Sequence, residues 1–172
     1  MEDLAPVEPH RTSRRTHLLG LAAASGLLWG QGAQARSTGL DLPACRKLKS
    51  AGGMQYCDVR PGTGDSPQSG DQIEVNYTAR VADSGKIYDG SRGFEFTLGN
   101  NEVVPGWEAA ILGKDGMPPI KEGGLRTVVI PAEMAFGAKG EGCLFGLDEK
   151  CRVPPNAAIE ITFEYLGLGY YS

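Results

Sequence analysis

Residues 101–113 read NEVVPGWEAAILG and hold the one good helix that the sequence predicts. Pro105 suits the first helical turn, and the glycine that closes the segment suits a helix end. Val104, Trp107 and Ile111 are spaced at i, i+3 and i+7, so they share one face of this helix. The apolar face predicts that the helix packs against a hydrophobic partner.

A sheet is the predicted partner. Residues 73–81 alternate between apolar and polar side chains, a pattern typical of a half-buried antiparallel strand. Further strands are predicted over Met54–Val59, Lys86–Asp89, Phe94–Leu98, Leu125–Ile130 and Ile159–Leu166. The 25 glycines and 11 prolines also favour tight turns and short strands over a helical bundle. The predicted fold class is α+β: a curved antiparallel sheet of five to six strands wrapped around one short helix, whose Trp107 plugs the concave face.

The N-terminal part of the chain has the pattern of an export signal. Residues 11–35 read RTSRRTHLLGLAAASGLLWGQGAQA, with a charged start, an apolar run of about 12 residues and a final Ala-Gln-Ala of the small-x-small cleavage type. The apolar run is too short to span a bilayer. The pair Arg14-Arg15 favours a twin-arginine signal over residues 1–35. An ordinary secretory signal and a retained membrane anchor stay open as alternatives.

Removal of residues 1–35 would leave residues 36–172, which are enough to form one domain with a single core. This part of the chain has 14 basic and 18 acidic residues. This balance lacks the basic footprint of a nucleic-acid binder. The only histidines, His10 and His17, fall in the predicted signal. Residues 36–172 contain no histidine, which excludes Ser-His-Asp and Cys-His catalysis and any zinc site that needs imidazole. Residues 36–52 are predicted to form a polar N-terminal arm, and residues 53–172 the folded domain.

Four cysteines occur in two local pairs, Cys45 with Cys57 and Cys143 with Cys151. Four cysteines allow three pairings, and the spacing favours the local one. Two disulfides suit an exported protein, and closing such short loops would stabilise it by about 2.5–3 kcal/mol each. Neither pair has the CxxC spacing that a structural zinc site or a catalytic dithiol normally uses. The second pair would pin a long loop over residues 131–155, and loops of this length are usually functional.

Several segments, taken together, resemble the FKBP-type peptidyl-prolyl cis-trans isomerases. The matching segments are VNYT (75–78), KIYD (86–89), FEFTLG (94–99), EVVPGWE (102–108), IPAEMAFG (130–137) and VPPNA (153–157). The resemblance runs from about residue 53 to residue 167, and the combination of these motifs is highly specific. The insert Gly116-Met117-Pro118-Pro119 and the two cysteine pairs look like the thylakoid-lumen branch of the family.

The resemblance implies an aromatic cleft that binds a proline ring and favours the twisted form of the preceding amide. Trp107 would be its floor, and Asp89 its one charged group, orienting an aromatic hydroxyl or accepting a hydrogen bond. The full set of implied site residues is Tyr77, Tyr88, Asp89, Phe94, Phe96, Val103, Val104, Trp107, Phe136, Val153 and Ile161. Backbone groups near Glu102 and Val104 would also contact the ligand. No metal and no cofactor is implied.

Three departures from the family pattern bear on activity. Phe136 stands where the family usually has tyrosine, so a hydroxyl that bonds the substrate carbonyl is missing. Ile161 replaces a usual phenylalanine in the last strand. The segment between Asp89 and Phe94 is short, which makes an ion pair from Asp89 to Arg92 doubtful.

The expected function is therefore isomerisation of Xaa-Pro bonds in exported proteins. Two alternatives stay open: a catalytically weak peptide-binding or assembly factor that uses the same cleft, and modulation of the cleft by the redox state of the disulfides. The expected partners are proline-containing polypeptides, with no nucleic acid and no membrane anchor in the mature, monomeric form. The expected compartment is the thylakoid lumen of the chloroplast, with the bacterial periplasm as the alternative.

Overall fold

The computed structural model describes residues 41–43, 45, 47–144 and 150–169. Its single sheet is antiparallel and has six strands: β1 (Lys49–Ala51), β2 (Met54–Arg60), β3 (Gln72–Val81), β4 (Ile87–Thr97), β5 (Leu125–Ile130) and β6 (Ile159–Leu168). The strand order is β1-β2-β5-β6-β3-β4. One α-helix, α1 (Pro105–Leu112), lies among the described residues, with 3₁₀ turns at Ala132–Met134 and Gly137–Lys139. This architecture is the α+β fold that the sequence predicts.

The predicted export signal, residues 1–35, lies outside the described residues. Within the described ranges, no helix is both long and apolar enough to cross a membrane.

Two strands differ from the expectation. The last residues of the predicted arm, Lys49–Ala51, form an edge strand against β2. Three residues are too few to show alternation, so the sequence pattern did not reveal this strand. The two segments predicted around Asp89 and Phe94 form one strand, β4. Its pairing with β3 shifts by one residue, since Val75 pairs with Phe94 but Tyr77 pairs with Ser91. One extra residue of β4 bulges out there and hides the alternation.

Helix α1 packs very close to the sheet. Its second residue is Gly106, and a Cβ at that position would overlap Ile130 Cγ2 and lie 3.0 Å from the Met134 carbonyl oxygen. The helix buries Trp107, Ala110 and Ile111 toward the sheet. A glycine at 106 is therefore what lets the helix bring Trp107 into the concave face.

A buried arginine ties the other end of the helix to the sheet. Arg126 on β5 is 1% exposed. Its Nε lies 2.6 Å from Asp58 Oδ1 on β2, and its Nη1 donates to the carbonyl oxygens of Ala110 and Pro118 at 2.7 and 2.9 Å. The guanidinium also lies over the Tyr56 ring, 5.1 Å from its centroid. One side chain thus joins two strands, the helix and the segment that follows the helix.

Two disulfides join the described cysteines. Cys45 is bonded to Cys57 on β2, and Cys143 to Cys151 in the loop before β6. The first attaches the segment before β1 to the sheet. The second links residues 143 and 151, which lie on either side of residues outside the described ranges.

We expect Arg126→Met to lower the free energy of unfolding by about 3 kcal/mol, because it leaves Asp58 and two carbonyl oxygens without their partner. Arg80→Met is the matched control. The Arg80 side chain pairs with Glu160 at 3.4 Å, and the two side chains are 24% and 30% exposed to solvent. It should cost less than about 1 kcal/mol. Urea unfolding of both variants measures the difference, and equal losses would contradict the assigned role of Arg126.

Candidate functional site

A cleft of about 370 Å³ opens on the concave face of the sheet. Its volume lies in the range of small-molecule and peptide side-chain pockets. The residues that line it are Tyr77, Ala79, Tyr88, Asp89, Phe94, Asn101, Glu102, Val103, Val104, Trp107, Phe136 and Ile161. They come from β3, β4, β6, the start of α1 and the loop after β5, so the fold brings distant parts of the sequence together here.

Trp107 forms the centre of an aromatic cluster at the base of the cleft. Its ring centroid lies 4.8 Å from that of Tyr77, 6.1 Å from that of Phe94 and 6.2 Å from that of Phe163. The Phe94 ring is almost parallel to the indole, at 16°. Neighbours on three sides hold the indole in one orientation, as offset and tilted aromatic contacts do.

The indole is held by packing alone. Trp107 is 5% exposed, and its Nε1 is the one buried side-chain nitrogen or oxygen among the described residues that has no hydrogen-bond partner. An unpaired buried donor costs about 1–3 kcal/mol. The packing of the surrounding rings must offset that cost.

The carboxylate of Asp89 stands at the rim of the cleft. Asp89 Oδ2 accepts a hydrogen bond from the Tyr77 hydroxyl at 2.8 Å, and Asp89 Oδ1 accepts one from the Gly90 backbone N–H at 2.9 Å. Burial, and then the hydrogen bond to Asp89, raises the pKa of Tyr77 above its ordinary value. Burial, followed by the negative charge of Asp89, also raises the pKa of Tyr88. Both phenols stay neutral at physiological pH, and the Tyr77 hydroxyl is directed at Asp89.

Nine of the eleven residues predicted for the site line the cleft. The other two lie behind it. Phe96 is buried beneath the lining, with its ring stacked 5.5 Å from that of Phe94. Val153 is fully buried, and its backbone pairs with Glu141, so it supports the loop rather than the cleft.

Three lining residues were not among those predicted as side chains. Ala79 lies on the same face of β3 as Tyr77, two residues further on, and the alternation of that strand could have revealed it. Asn101 and Glu102 lie in the segment before α1, and only the backbone near Glu102 was expected to contribute.

The charged neighbour of Asp89 is Arg152, from the loop after the second disulfide, rather than Arg92 on β4. Its Nη2 lies 3.9 Å from Asp89 Oδ1. The ion pair of Asp89 is thus with an arginine 63 residues further along the chain. The sequence carried no signal for this distant partner. Among the described residues, no group of three or more His, Cys, Asp or Glu side chains could hold a metal ion.

Comparison with known proteins gives one family. The model for "FKBP-type peptidyl-prolyl cis-trans isomerase" matches residues 64–165. The chain is 36% identical over 158 residues to "Peptidyl-prolyl cis-trans isomerase FKBP13, chloroplastic" of Arabidopsis thaliana, which covers 90% of this chain and 72% of that protein. It is 35% identical over 121 residues to "Photosynthetic NDH subunit of lumenal location 4, chloroplastic" of the same plant, which covers 68% of this chain and 54% of that protein.

Solved structures agree. The crystal structure of AtFKBP13 superposes with a TM-score of 0.67 and 34% identity, covering 72% of this chain and all of that one. The crystal structure of FkpA from Escherichia coli gives a TM-score of 0.53 and 31% identity, covering 70% of this chain and 51% of that one.

The raised pKa of Tyr77 predicts how stability depends on pH. As the pH rises past 10.0, the ordinary tyrosine value, the unfolded chain loses this proton before the folded chain does. Stability from this group is therefore complete below about pH 10 and falls above it, by about 1.4 kcal/mol per pH unit. Tyr77→Phe should make the decline above pH 10 shallower by that amount in urea unfolding. An unchanged slope would contradict the prediction.

Proposed function

The chain belongs to the family of FKBP-type peptidyl-prolyl cis-trans isomerases, and we propose that the cleft over Trp107 is where it isomerises Xaa-Pro bonds. The observation that carries the assignment of this site is the aromatic floor: an indole held between flanking rings at the base of an open cleft. A proline ring is apolar and flat-sided, and such a floor buries it.

The chemistry of the reaction fits a site without a nucleophile. Rotation about a peptide bond has a barrier of about 18–20 kcal/mol because the planar amide is resonance-stabilised. Uncatalysed Xaa-Pro exchange takes tens to hundreds of seconds. As the amide twists, it loses resonance and becomes less polar than the planar form. An apolar cleft that binds the twisted form better than either planar form lowers the barrier, by about 1.4 kcal/mol for each tenfold in rate.

Each lining group has a part in this proposal. Trp107 supports the proline ring from below, and Tyr77, Phe94 and Tyr88 form aromatic walls. Val103 and Val104 line the rim beside the start of the helix, where backbone groups would contact the client chain. Asp89, held by the Tyr77 hydroxyl, would accept a hydrogen bond near the twisting amide.

Two side chains reduce what the cleft can do. Phe136 contacts Tyr88 edge to face at 6.1 Å and brings no hydroxyl. Ile161 presents an aliphatic surface. These two residues are the specific observation that favours a second candidate function, a catalytically weak peptide-binding or assembly factor. A relative named as a subunit of a photosynthetic complex is consistent with that candidate.

The proposed clients are proline-containing polypeptides in the compartment to which the chain is exported. We propose the thylakoid lumen, supported by relatives named chloroplastic and by one named for a lumenal location. The bacterial periplasm is the alternative, since structures of a peptidyl-prolyl cis-trans isomerase from Pseudomonas syringae and of FkpA from Escherichia coli are also similar. The proposed working form is a monomer.

Redox modulation through the disulfides remains a proposal. Arg152 directly follows Cys151, so the second disulfide adjoins the residue whose guanidinium faces Asp89. Comparison of activity in oxidised and reduced protein tests it. A thiol titration of the native protein is the second test, because disulfides that resist reduction down to a very negative potential serve only as structural links.

We expect Trp107→Leu to lower kcat/KM for a proline tetrapeptide at least tenfold, because the apolar floor of the cleft is lost. The measurement is a coupled isomerisation assay on the full chain. Tyr56→Leu is the matched control: Tyr56 is equally buried, at 5% exposure, but lies beneath Arg126 and away from the cleft. Its activity per folded molecule should match the wild type. A folded wild-type protein without activity would favour the peptide-binding alternative.

Restoring the missing hydroxyl should raise activity. We expect Phe136→Tyr to increase kcat/KM by about two- to tenfold, the effect of one net hydrogen bond of about 0.5–1.5 kcal/mol in the transition state. Phe136→Leu, which removes the ring as well, should lower it in the same assay. If Phe136→Tyr is no faster than wild type, the missing hydroxyl does not limit the rate.

A further inference from the structure

Arg152 reaches the cleft from outside its lining. Its Nη2 donates a hydrogen bond to the Tyr88 carbonyl oxygen at 3.0 Å and lies 3.9 Å from Asp89 Oδ1. Both acceptors belong to β4, whereas Arg152 belongs to the loop that precedes β6. A single guanidinium therefore connects the loop to the strand that carries the one charged residue among the predicted site residues.

The backbone around Arg152 fixes its position. The Arg152 N–H donates to the Glu141 carbonyl oxygen at 2.8 Å, and the Glu141 N–H donates to the Val153 carbonyl oxygen at 2.8 Å. Gly142 has φ +60, and a Cβ there would lie 2.7 Å from Arg152 Cδ. The arginine stem thus lies across a residue that has no side chain, and this close contact aims the guanidinium at β4.

Asp89 uses its two oxygens differently. Oδ2 accepts from the Tyr77 hydroxyl, while Oδ1 accepts from the Gly90 N–H and faces Arg152. A cation and a backbone donor on one oxygen fix the rotation of the carboxylate about its Cβ–Cγ bond. The other oxygen is thereby kept toward Tyr77 and the cleft.

We propose that Arg152 is a positioning residue of the isomerase site: its hydrogen bond to the Tyr88 carbonyl oxygen fixes the guanidinium, and the guanidinium acts through Asp89 to hold the Asp89–Tyr77 pair in place. This rests on the proposed function of the cleft. The contact should matter little for stability, because the side chains of Arg152 and Asp89 are 53% and 45% exposed and such ion pairs contribute little to folding. The contact should instead affect the rate, because it fixes the geometry of the Asp89–Tyr77 pair in the transition state.

The test is a double-mutant cycle in the full chain with Arg152→Gln, Asp89→Asn and both together. The readouts are kcat and KM for a proline tetrapeptide and the urea midpoint. We expect Arg152→Gln to lower kcat about fivefold and to change KM less than about twofold, because a positioning contact acts on the transition state. The double variant should be no slower than Asp89→Asn alone, because the arginine acts through that carboxylate. The urea midpoint of Arg152→Gln should match the wild type.

Two further variants separate position from charge. Arg152→Lys keeps the cation but loses the planar fork, and it should recover only part of the lost rate. Arg92→Gln removes an exposed arginine of β4 and should leave kcat unchanged. The proposal is overturned if the losses of Arg152→Gln and Asp89→Asn multiply in the double variant, or if Arg152→Gln behaves like Arg92→Gln.

A failure of the proposed function gives a different result. If the folded wild type does not isomerise the peptide, the same cycle is measured on the dissociation constant for that peptide. A double variant that binds as Asp89→Asn does would support the positioning role of Arg152 in a binding cleft. Independent effects on affinity, or no binding by any of the proteins, would overturn it.

Discussion

The site depends on the close approach of one helix to one strand. Gly106 in α1 meets Ile130 of β5 at a distance that leaves no room for a Cβ. Because the helix sits this low, the next residue, Trp107, reaches the concave face and contacts Tyr77, Phe94 and Phe163. Dense packing then keeps the indole in one orientation, even though its N–H has no acceptor. The shape of the cleft follows from a residue whose only contribution is its lack of a side chain.

Apolar and polar contacts are separated in this cleft. The floor consists of aromatic rings, whereas the rim carries the linked groups Tyr77, Asp89 and Arg152. A reaction that only twists an amide needs a surface matched to a less polar form and a few fixed dipoles at its edge. It needs no group that exchanges protons. The absence of histidine from residues 36–172 is therefore compatible with catalysis here.

The family resemblance assigned the residues of the site, and local patterns placed those on regular elements on the correct faces. Alternation placed Tyr77 on the inner face of its strand, and helical spacing placed Trp107 on the inner face of its helix. The pattern failed where the backbone departs from a regular period, as at the bulge that unites the two segments of β4. It could not reveal Arg152, which contacts a carbonyl 64 residues away through the path of a loop. Such contacts depend on tertiary geometry, and no local spacing encodes them.

The position of β6 has a consequence for the order in which the molecule can assemble. It is the last of the described strands in chain order, yet it lies in the interior of the sheet between β5 and β3. Without it, β1, β2 and β5 form one ribbon and β3 with β4 another, with no backbone hydrogen bonds between them. Ile161 on this strand also lines the cleft. During synthesis, the six-stranded sheet cannot form until β6 has left the ribosome. Until then, the edges of β5 and β3 that face β6 have no partner strand.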